Sequence, residues 1–137
     1  MKWSGMKTII CDIDGTLLNY LHHEIPHPGH TKDHVALPGV IEKMRQWEVQ
    51  GCRIIIITGR RESERERTER DLRYFHIPYD VLLMGYADTR RVLINDINEK
   101  GKCKAHAVSL PRDQGFEEFD WVCEKFKEIP FGTKGCL

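Results

Sequence analysis

Three acidic side chains stand at the ends of two strands that the sequence predicts. Asp12 and Asp14 follow the apolar run 7–11, and Asp96 follows the run 91–95. Because the carboxyl ends of parallel strands meet at the same edge of a sheet, we expect the three carboxylates to share one crevice. Carboxylates in close contact repel one another and raise each other's pKa. A hard divalent cation removes that repulsion, and Mg²⁺ fits because it binds a few carboxylate oxygens and keeps water or phosphate oxygens.

A further polar signal, the tripeptide Thr58-Gly59-Arg60, follows the nearly continuous apolar run 52–57. Any one of these signals alone is most often a turn or a helix cap, because Asp, Thr and Gly all favour such positions. Here every signal comes directly after a predicted strand, in the same relative position. Their coincidence favours one functional crevice over three unrelated turns.

The elements that must position these residues alternate between strands and helices. Apolar residues at helical spacing predict helices, and short apolar runs between turn residues predict strands. The predicted helices span 38–50, 62–75 and 116–126, and the later strands span 79–84, 91–95 and 105–110. The run 52–57 has the pattern of a parallel strand covered on both faces. This alternation predicts the α/β class, as a Rossmann-like three-layer sandwich with a mostly parallel sheet.

Residues 12–17, Asp-Ile-Asp-Gly-Thr-Leu, resemble the first motif of the haloacid dehalogenase (HAD) superfamily of phosphotransferases. Residues 54–58 resemble its second motif, and residues 92–96 resemble its fourth. The resemblance extends over 7–110. It implies a HAD-like fold and a hydrolase that removes phosphate from a monoester with Mg²⁺ as its cofactor.

The same resemblance implies a role for each polar residue. Asp12 would be the nucleophile that forms an aspartyl phosphate, and Asp14 would be the general acid and base. The side chains of Asp12 and Asp96 and the backbone carbonyl of Asp14 would hold Mg²⁺. Thr58 and the backbone amide of Gly59 would bind the oxygens of the transferring phosphoryl group.

One element of the HAD pattern is missing. HAD enzymes normally provide a lysine between the second and fourth motifs to bind the phosphoryl group, but residues 60–96 contain none. The basic residues nearest to the fourth motif are Arg90 and Arg91, and we expect one of them to neutralise the phosphate instead. Alternatively, Lys100 or Lys102 reaches the phosphoryl group from beyond the predicted strand, or the activity is weak.

A narrower resemblance links the stretch that begins at Thr58 to the phosphatase domain of phage-type polynucleotide kinases. It rests on Thr58-Gly59-Arg60, Arg65, Thr68, Leu72, residues 77–80 and residues 83–84. After Met84 the sequence departs from that pattern. Between residues 60 and 73, six arginines face five acids, which indicates a salt-bridged helix face more than a track for phosphates.

The spacing of the motifs predicts a single domain over 1–137 without a cap domain. Residues 19–37 form a loop rich in His, Pro and Gly, and six residues separate Met84 from Arg91, so neither gap can hold a further domain. Five of the seven histidines lie in this loop. A zinc site there is one interpretation, and a flap over an open crevice is the other.

Composition narrows the function classes. The chain of 137 residues has 21 Lys plus Arg and 21 Asp plus Glu, so its zero net charge argues against a strongly basic nucleic-acid coat. Its apolar runs, such as 54–57, are too short to span a membrane, and the N-terminus lacks a signal-peptide pattern. Five cysteines without a CxxC motif fit reduced thiols, which predicts a cytoplasmic location.

The sequence therefore predicts a Mg²⁺-dependent phosphomonoesterase that acts on a small phosphorylated metabolite, a sugar or a nucleotide, or on an exposed phosphate end. Two alternatives stay open: a polynucleotide 3′-phosphatase in nucleic-acid repair, and a non-catalytic HAD-like module that binds phosphate or a protein. No membrane partner is expected. A homo-oligomer stays open because an open crevice can be covered by a neighbouring subunit.

Overall fold

The computed structural model of the chain describes residues 6–21, 34–86 and 89–118. Its elements are β1 (Thr8–Cys11), α1 (Val40–Val49), β2 (Arg53–Ile57), a 3₁₀ turn (Glu62–Glu64), α2 (Arg65–Tyr74) and β3 (Val81–Leu83). The predicted flap over 19–37 and the predicted helix over 116–126 lie largely outside these residues. The single domain over 1–137 therefore stays a prediction.

The three strands form one parallel sheet in the order β1-β2-β3. Parallel neighbours need crossover connections, and α1 and α2 lie within the two connections. Right-handed crossovers between strands laid down in this order place both helices on the same face of the sheet. The α/β class and the parallel sheet that the sequence predicts are confirmed.

The two faces of the sheet differ in burial. The face toward the helices carries the buried side chains Ile9, Cys11, Ile54, Ile56 and Leu82. On the opposite face, Ile10 pairs with Ile55 and Ile55 pairs with Val81, forming one apolar row. In this outer row Ile10 is 49% exposed and Val81 is 42% exposed. The sequence pattern predicts that β2 is covered on both faces. Among the described elements, it is covered on one face only.

Helix α1 forms where the sequence predicts it, and glycines mark both of its ends. Gly39 precedes the helix with φ 76°, and Gly51 follows it with φ 83°, values that residues with a Cβ rarely adopt. Between them, Val40, Met44 and Trp47 are buried at helical spacing. The helix therefore rests on the sheet through a single apolar stripe.

Helix α2 has almost no apolar residues, and its polar face is laced by ion pairs. Arg65 contacts Glu62 at 2.5 Å and Glu69 at 3.4 Å, and Arg67 contacts Glu64. This confirms the predicted salt-bridged face. Such exposed pairs contribute little each, so they do not hold the helix on the sheet. Its attachment depends on the three residues that it buries, which are Thr68, Asp71 and Leu72.

The strands predicted over 91–95 and 105–110 are wrong, since neither segment forms a strand. Val92, Leu93 and Ile94 are 72%, 58% and 88% exposed, although their sequence is rich in strand formers. An apolar run becomes a strand only where a neighbouring strand supplies the hydrogen-bond ladder, and no strand of the described residues lies beside this run. Within the described residues, no helix is long and apolar enough to cross a membrane.

The segment 111–118 returns to the start of α1. Phe116 is 2% exposed, its ring centroid lies 5.5 Å from that of Trp47, and its amide donates to the carbonyl of Pro38 at 2.8 Å. Gly115 makes this approach feasible, because a Cβ there would lie 2.3 Å from the Pro38 oxygen. The returning segment therefore closes the core beside the loop that follows β1.

Candidate active site

The loop that follows β1 is organised around one buried residue. Ile13 is fully buried, and its carbonyl accepts hydrogen bonds from the amides of residues 16, 17 and 18 at 2.8–3.1 Å. Gly15 turns the chain with φ 86°. The side chains on either side of Ile13, Asp12 and Asp14, are each 28% exposed. The tight turn thus presents two carboxylates at the carboxyl end of β1.

The loop after β2 is tied to the loop after β3 by backbone hydrogen bonds. The Thr58 amide donates to the Leu83 carbonyl at 2.9 Å, and the Tyr86 amide donates to the Thr58 carbonyl at 3.0 Å. Thr58 is 1% exposed, and its hydroxyl accepts from the amide of Arg60 at 3.1 Å. Thr58 and Gly59 therefore stand at the same edge of the sheet as the two carboxylates, as the sequence predicts.

Arg60 joins these loops through a buried guanidinium group. Its Nε and Nη2 donate to the two Asp14 oxygens at 2.9 and 2.7 Å. Its Nη1 donates to the Thr68 hydroxyl at 3.2 Å and lies 3.4 Å from Asp71. Its Nη2 also lies 3.4 Å from His34 Nδ1. Burial acts to lower the pKa of Arg60, but the hydrogen bonds and charges of Asp14 and Asp71 outweigh it and raise that pKa.

Sequence reasoning did not assign these roles to Arg60 and Asp71. Asp71 is fully buried on α2, three residues after the equally buried Thr68. A buried carboxylate needs a cation nearby, because an isolated charge is strongly disfavoured away from water. The sequence does place Asp71 on the same helix face as Thr68 and Leu72. That position predicts a buried cation beside Asp71, but it does not identify which one.

Asp12 faces a different arginine. Arg91 Nη1 lies 3.4 Å from Asp12 Oδ1, and the Arg91 side chain is 33% exposed. Arg90, the other residue that the sequence suggested, is exposed. The preceding residue, Cys11, is buried, and burial together with the Asp12 charge raises the pKa of its thiol. Asp12 is therefore paired with a cation that solvent reaches, whereas Arg60, the partner of Asp14, is buried.

Asp96 does not lie beside Asp12 and Asp14. Its side chain is 75% exposed and forms an ion pair with Lys104, whose hydrogen bond lowers the Asp96 pKa. Because residues 91–96 form no strand, nothing directs Asp96 toward the end of β1. The described part of the chain contains no group of three His, Cys, Asp or Glu side chains that could hold a metal ion. In the described part of the chain Asp96 stands apart from Asp12 and Asp14, so the three acids of the predicted Mg²⁺ site are not brought together.

A parallel α/β sheet with two carboxylates after its first strand and a buried threonine after its second agrees with the HAD-like resemblance of the sequence. More narrowly, the chain belongs to the family of the polynucleotide kinase PNKP phosphatase domain, because the model of that family matches residues 6–94. The resemblance that the sequence indicates is confirmed. The match includes Asp12, Asp14, Thr58 and Arg91, and it ends before Asp96.

Solved structures are similar to part of this chain. Chains in a structure of a Pnkp1/Rnl/Hen1 complex and in one of the Pnkp1/Rnl/Hen1 RNA repair complex are each 34% identical to this chain, with a TM-score of 0.50. Both matches cover 66% of this chain, which spans only 32% and 29% of the two longer chains. A protein from Vibrio cholerae is 23% identical, with a TM-score of 0.47 and coverage of 66% and 80%. No curated protein sequence matches the chain.

The Arg60 cluster yields a prediction about stability. Asp71→Asn removes one of the two charges that face the guanidinium and keeps the side-chain shape. We expect the free energy of unfolding to fall by about 3 kcal/mol, because breaking a buried ion pair leaves the other charge poorly compensated. Urea denaturation followed by circular dichroism measures the change.

Glu66→Gln is the matched control, since Glu66 is an exposed acid on the same helix. Its effect should stay below about 1 kcal/mol. Equal losses in the two variants would show that Arg60 does not depend on Asp71.

Proposed function

We propose that this chain is a phosphomonoesterase that forms an aspartyl phosphate on Asp12. The observation that carries the proposal is the unequal pairing of the two carboxylates at the end of β1. Asp14 is gripped by the buried Arg60 through two hydrogen bonds, whereas Asp12 faces the half-exposed Arg91 at 3.4 Å. A carboxylate fixed by two short hydrogen bonds, next to a carboxylate whose ion pair is longer, suits a proton-transfer group beside a nucleophile.

The reaction then has two balanced steps. In the first, an Asp12 oxygen attacks the phosphorus, the bond to the leaving oxygen breaks, and Asp14 gives that oxygen a proton. In the second, Asp14 takes a proton from water, the resulting nucleophile attacks the phosphorus, and inorganic phosphate leaves with Asp12 restored. Arg60 positions Asp14 for both steps, because its bidentate contact fixes the carboxylate plane.

Three further groups complete the proposed phosphate site. Thr58 and the amide of Gly59 would bind phosphoryl oxygens, since they lie at the same sheet edge as Asp12. Arg91 would replace the lysine that HAD enzymes usually provide, and its place beside Asp12 supports this choice over Arg90. Charge neutralisation and positioning are the main requirements of phosphoryl transfer, and these groups can supply both.

Mg²⁺ is the cofactor that we propose, on the strength of the likeness to HAD phosphatases. Two of its expected ligands, Asp12 and Asp14, lie on the same loop after β1, which supports the proposal, whereas Asp96 is exposed beside Lys104. The contribution of Asp96 therefore stays a prediction. The groups that act in both chemical steps are the side chains of Asp12 and Asp14.

A polynucleotide 3′-phosphatase in nucleic-acid repair is the second candidate within the same chemistry. The family match supports it, as does the likeness to chains from an RNA repair complex. A small phosphorylated sugar or nucleotide is supported by the nearly balanced charge of α2, where Arg65 and Arg67 are paired with the acids Glu62, Glu64 and Glu69. Both substrates present a phosphate monoester to Asp12.

The central test is the substitution Asp12→Asn. We expect it to lower the rate of phosphate release from 4-nitrophenyl phosphate by at least about a thousandfold, because the amide is a poor nucleophile. The assay is run with Mg²⁺ and again with excess EDTA, and chelation should abolish the activity of the unchanged chain. Full activity in Asp12→Asn would refute the mechanism. Phosphate binding without turnover in the unchanged chain would support a non-catalytic module.

The two substrate classes are separated by comparing kcat/KM for a 3′-phosphorylated oligonucleotide with that for sugar phosphates and nucleoside monophosphates. A 3′-phosphatase should prefer the oligonucleotide by about tenfold or more, since contacts beyond the scissile group add to transition-state binding. A preference for any small phosphate would favour the metabolite phosphatase.

The role of Arg91 is tested by Arg91→Met, which keeps much of the side-chain length and removes the charge. We expect kcat/KM for 4-nitrophenyl phosphate to fall about a hundredfold, as for the loss of other groups that stabilise transition-state charge. Arg91→Lys should recover most of it. Arg90→Met serves as the neighbouring comparison and should cost much less, so a larger loss in Arg90→Met would reverse the assignment.

A further inference from the structure

The turn 111–113 lies directly against the loop that carries the two carboxylates. The amide of Asp113 donates to the carbonyl of Gly15 at 2.9 Å. The carboxylate of Asp113 in turn accepts from the amide of Tyr20 at 2.7 Å. The second contact joins residues 93 apart in the sequence, and the two contacts together fix residue 112 at the edge of the proposed active site.

Arg112 lies across this loop. A Cβ on Gly15 would come within 3.1 Å of the Arg112 Cγ, so the aliphatic stem covers the residue that follows Asp14. The guanidinium carbon lies 4.0 Å from the centre of the Tyr20 ring, a distance typical of a cation–π contact. The Tyr20 ring thus holds the guanidinium group in place.

Arg112 has no carboxylate partner in the part of the chain that the structure describes. Among the described residues, no carboxylate forms an ion pair with this guanidinium, and the neighbouring Asp113 carboxylate accepts from the Tyr20 amide. Arg112 is also exposed. A stacked arginine keeps its in-plane N–H donors available, and these match the oxygens of a phosphate.

We propose that Arg112, stacked on Tyr20, is a subsite for a second phosphate group of the substrate. The proposal rests on the proposed function, because the subsite adds to the site at Asp12. Arg91 already stands beside Asp12, whereas Arg112 covers Gly15. One arginine therefore serves the phosphate that is cleaved, and the other serves an anion carried by the leaving group. That anion is either the next backbone phosphate of a nucleic-acid end or the second phosphate of a sugar bisphosphate.

The experiment measures selectivity for a second phosphate in the 137-residue chain. One pair of substrates is glucose 1,6-bisphosphate against glucose 6-phosphate, and the other is a 3′-phosphorylated dinucleotide against a nucleoside 3′-monophosphate. Arg112→Met keeps the stem over Gly15 and removes the charge. In the pair that the chain recognises, we divide kcat/KM for the substrate with two phosphates by kcat/KM for the substrate with one. We expect Arg112→Met to lower this ratio about tenfold, mainly by raising KM for the substrate with two phosphates. The pair that responds identifies the source of the second phosphate.

Arg45→Met is the matched control, because Arg45 is an exposed arginine of α1 and its loss changes the net charge equally. The selectivity ratio should not change in this variant. Unchanged ratios for both pairs in Arg112→Met would overturn the proposal. An equal fall in Arg45→Met would also overturn it, since the effect would then come from overall charge.

A binding measurement separates this proposal from the proposed function. Calorimetry on the Asp12→Asn chain gives Kd for each bisphosphate and monophosphate without turnover. Within the recognised pair, we expect the compound with two phosphate groups to bind about tenfold more tightly than the compound with one. Arg112→Met in the same background should remove that difference. If the unchanged chain hydrolyses no phosphate monoester, the proposed function fails, but these Kd values still decide for or against the subsite.

Discussion

The structure around the site depends on one buried cation. The Arg60 side chain is 7% exposed, and a guanidinium group in such a place is tolerable only when carboxylates and hydrogen-bond acceptors surround it. Asp14 comes from the loop after β1, and Asp71 and Thr68 come from α2. Because one side chain satisfies partners from both elements, the loop, the helix and the end of β2 are held in one arrangement.

This constraint explains how a helix with so little apolar surface stays on the sheet. Exposed ion pairs with Glu62, Glu64 and Glu69 contribute little, and Leu72 is the only large apolar residue that α2 fully buries. The buried Thr68 and Asp71 provide the remaining attachment, because both contact Arg60. The same pairing that stabilises α2 also fixes the orientation of Asp14, so stability and positioning of the site are coupled through one side chain.

The parts of this fold that sequence predicts are those with local causes. Helix α1 follows from its apolar spacing and its flanking glycines, and β1 and β2 follow from short apolar runs that end in polar turns. The run 91–95 has an equally good strand pattern, but a strand also needs a partner, and a single sequence does not show one. Asp12, Asp14 and Thr58 could be placed because strand ends meet at one edge. The contact between Asp14 and Arg60 joins residues 46 apart, and the sequence pattern contains nothing that pairs them.

The outer face of the sheet bears on how copies of the chain interact with one another in water. The two crossover helices cover only one side, and the row Ile10, Ile55 and Val81 faces the other, with its two ends about half exposed. Parallel sheets are normally enclosed on both faces, so such a row is adhesive surface in water. Within the described part of the chain, this row is an apolar surface that could support self-association, and it has no part in the chemistry. A polar substitution at Ile10 or Val81 would alter colloidal behaviour without touching the carboxylates.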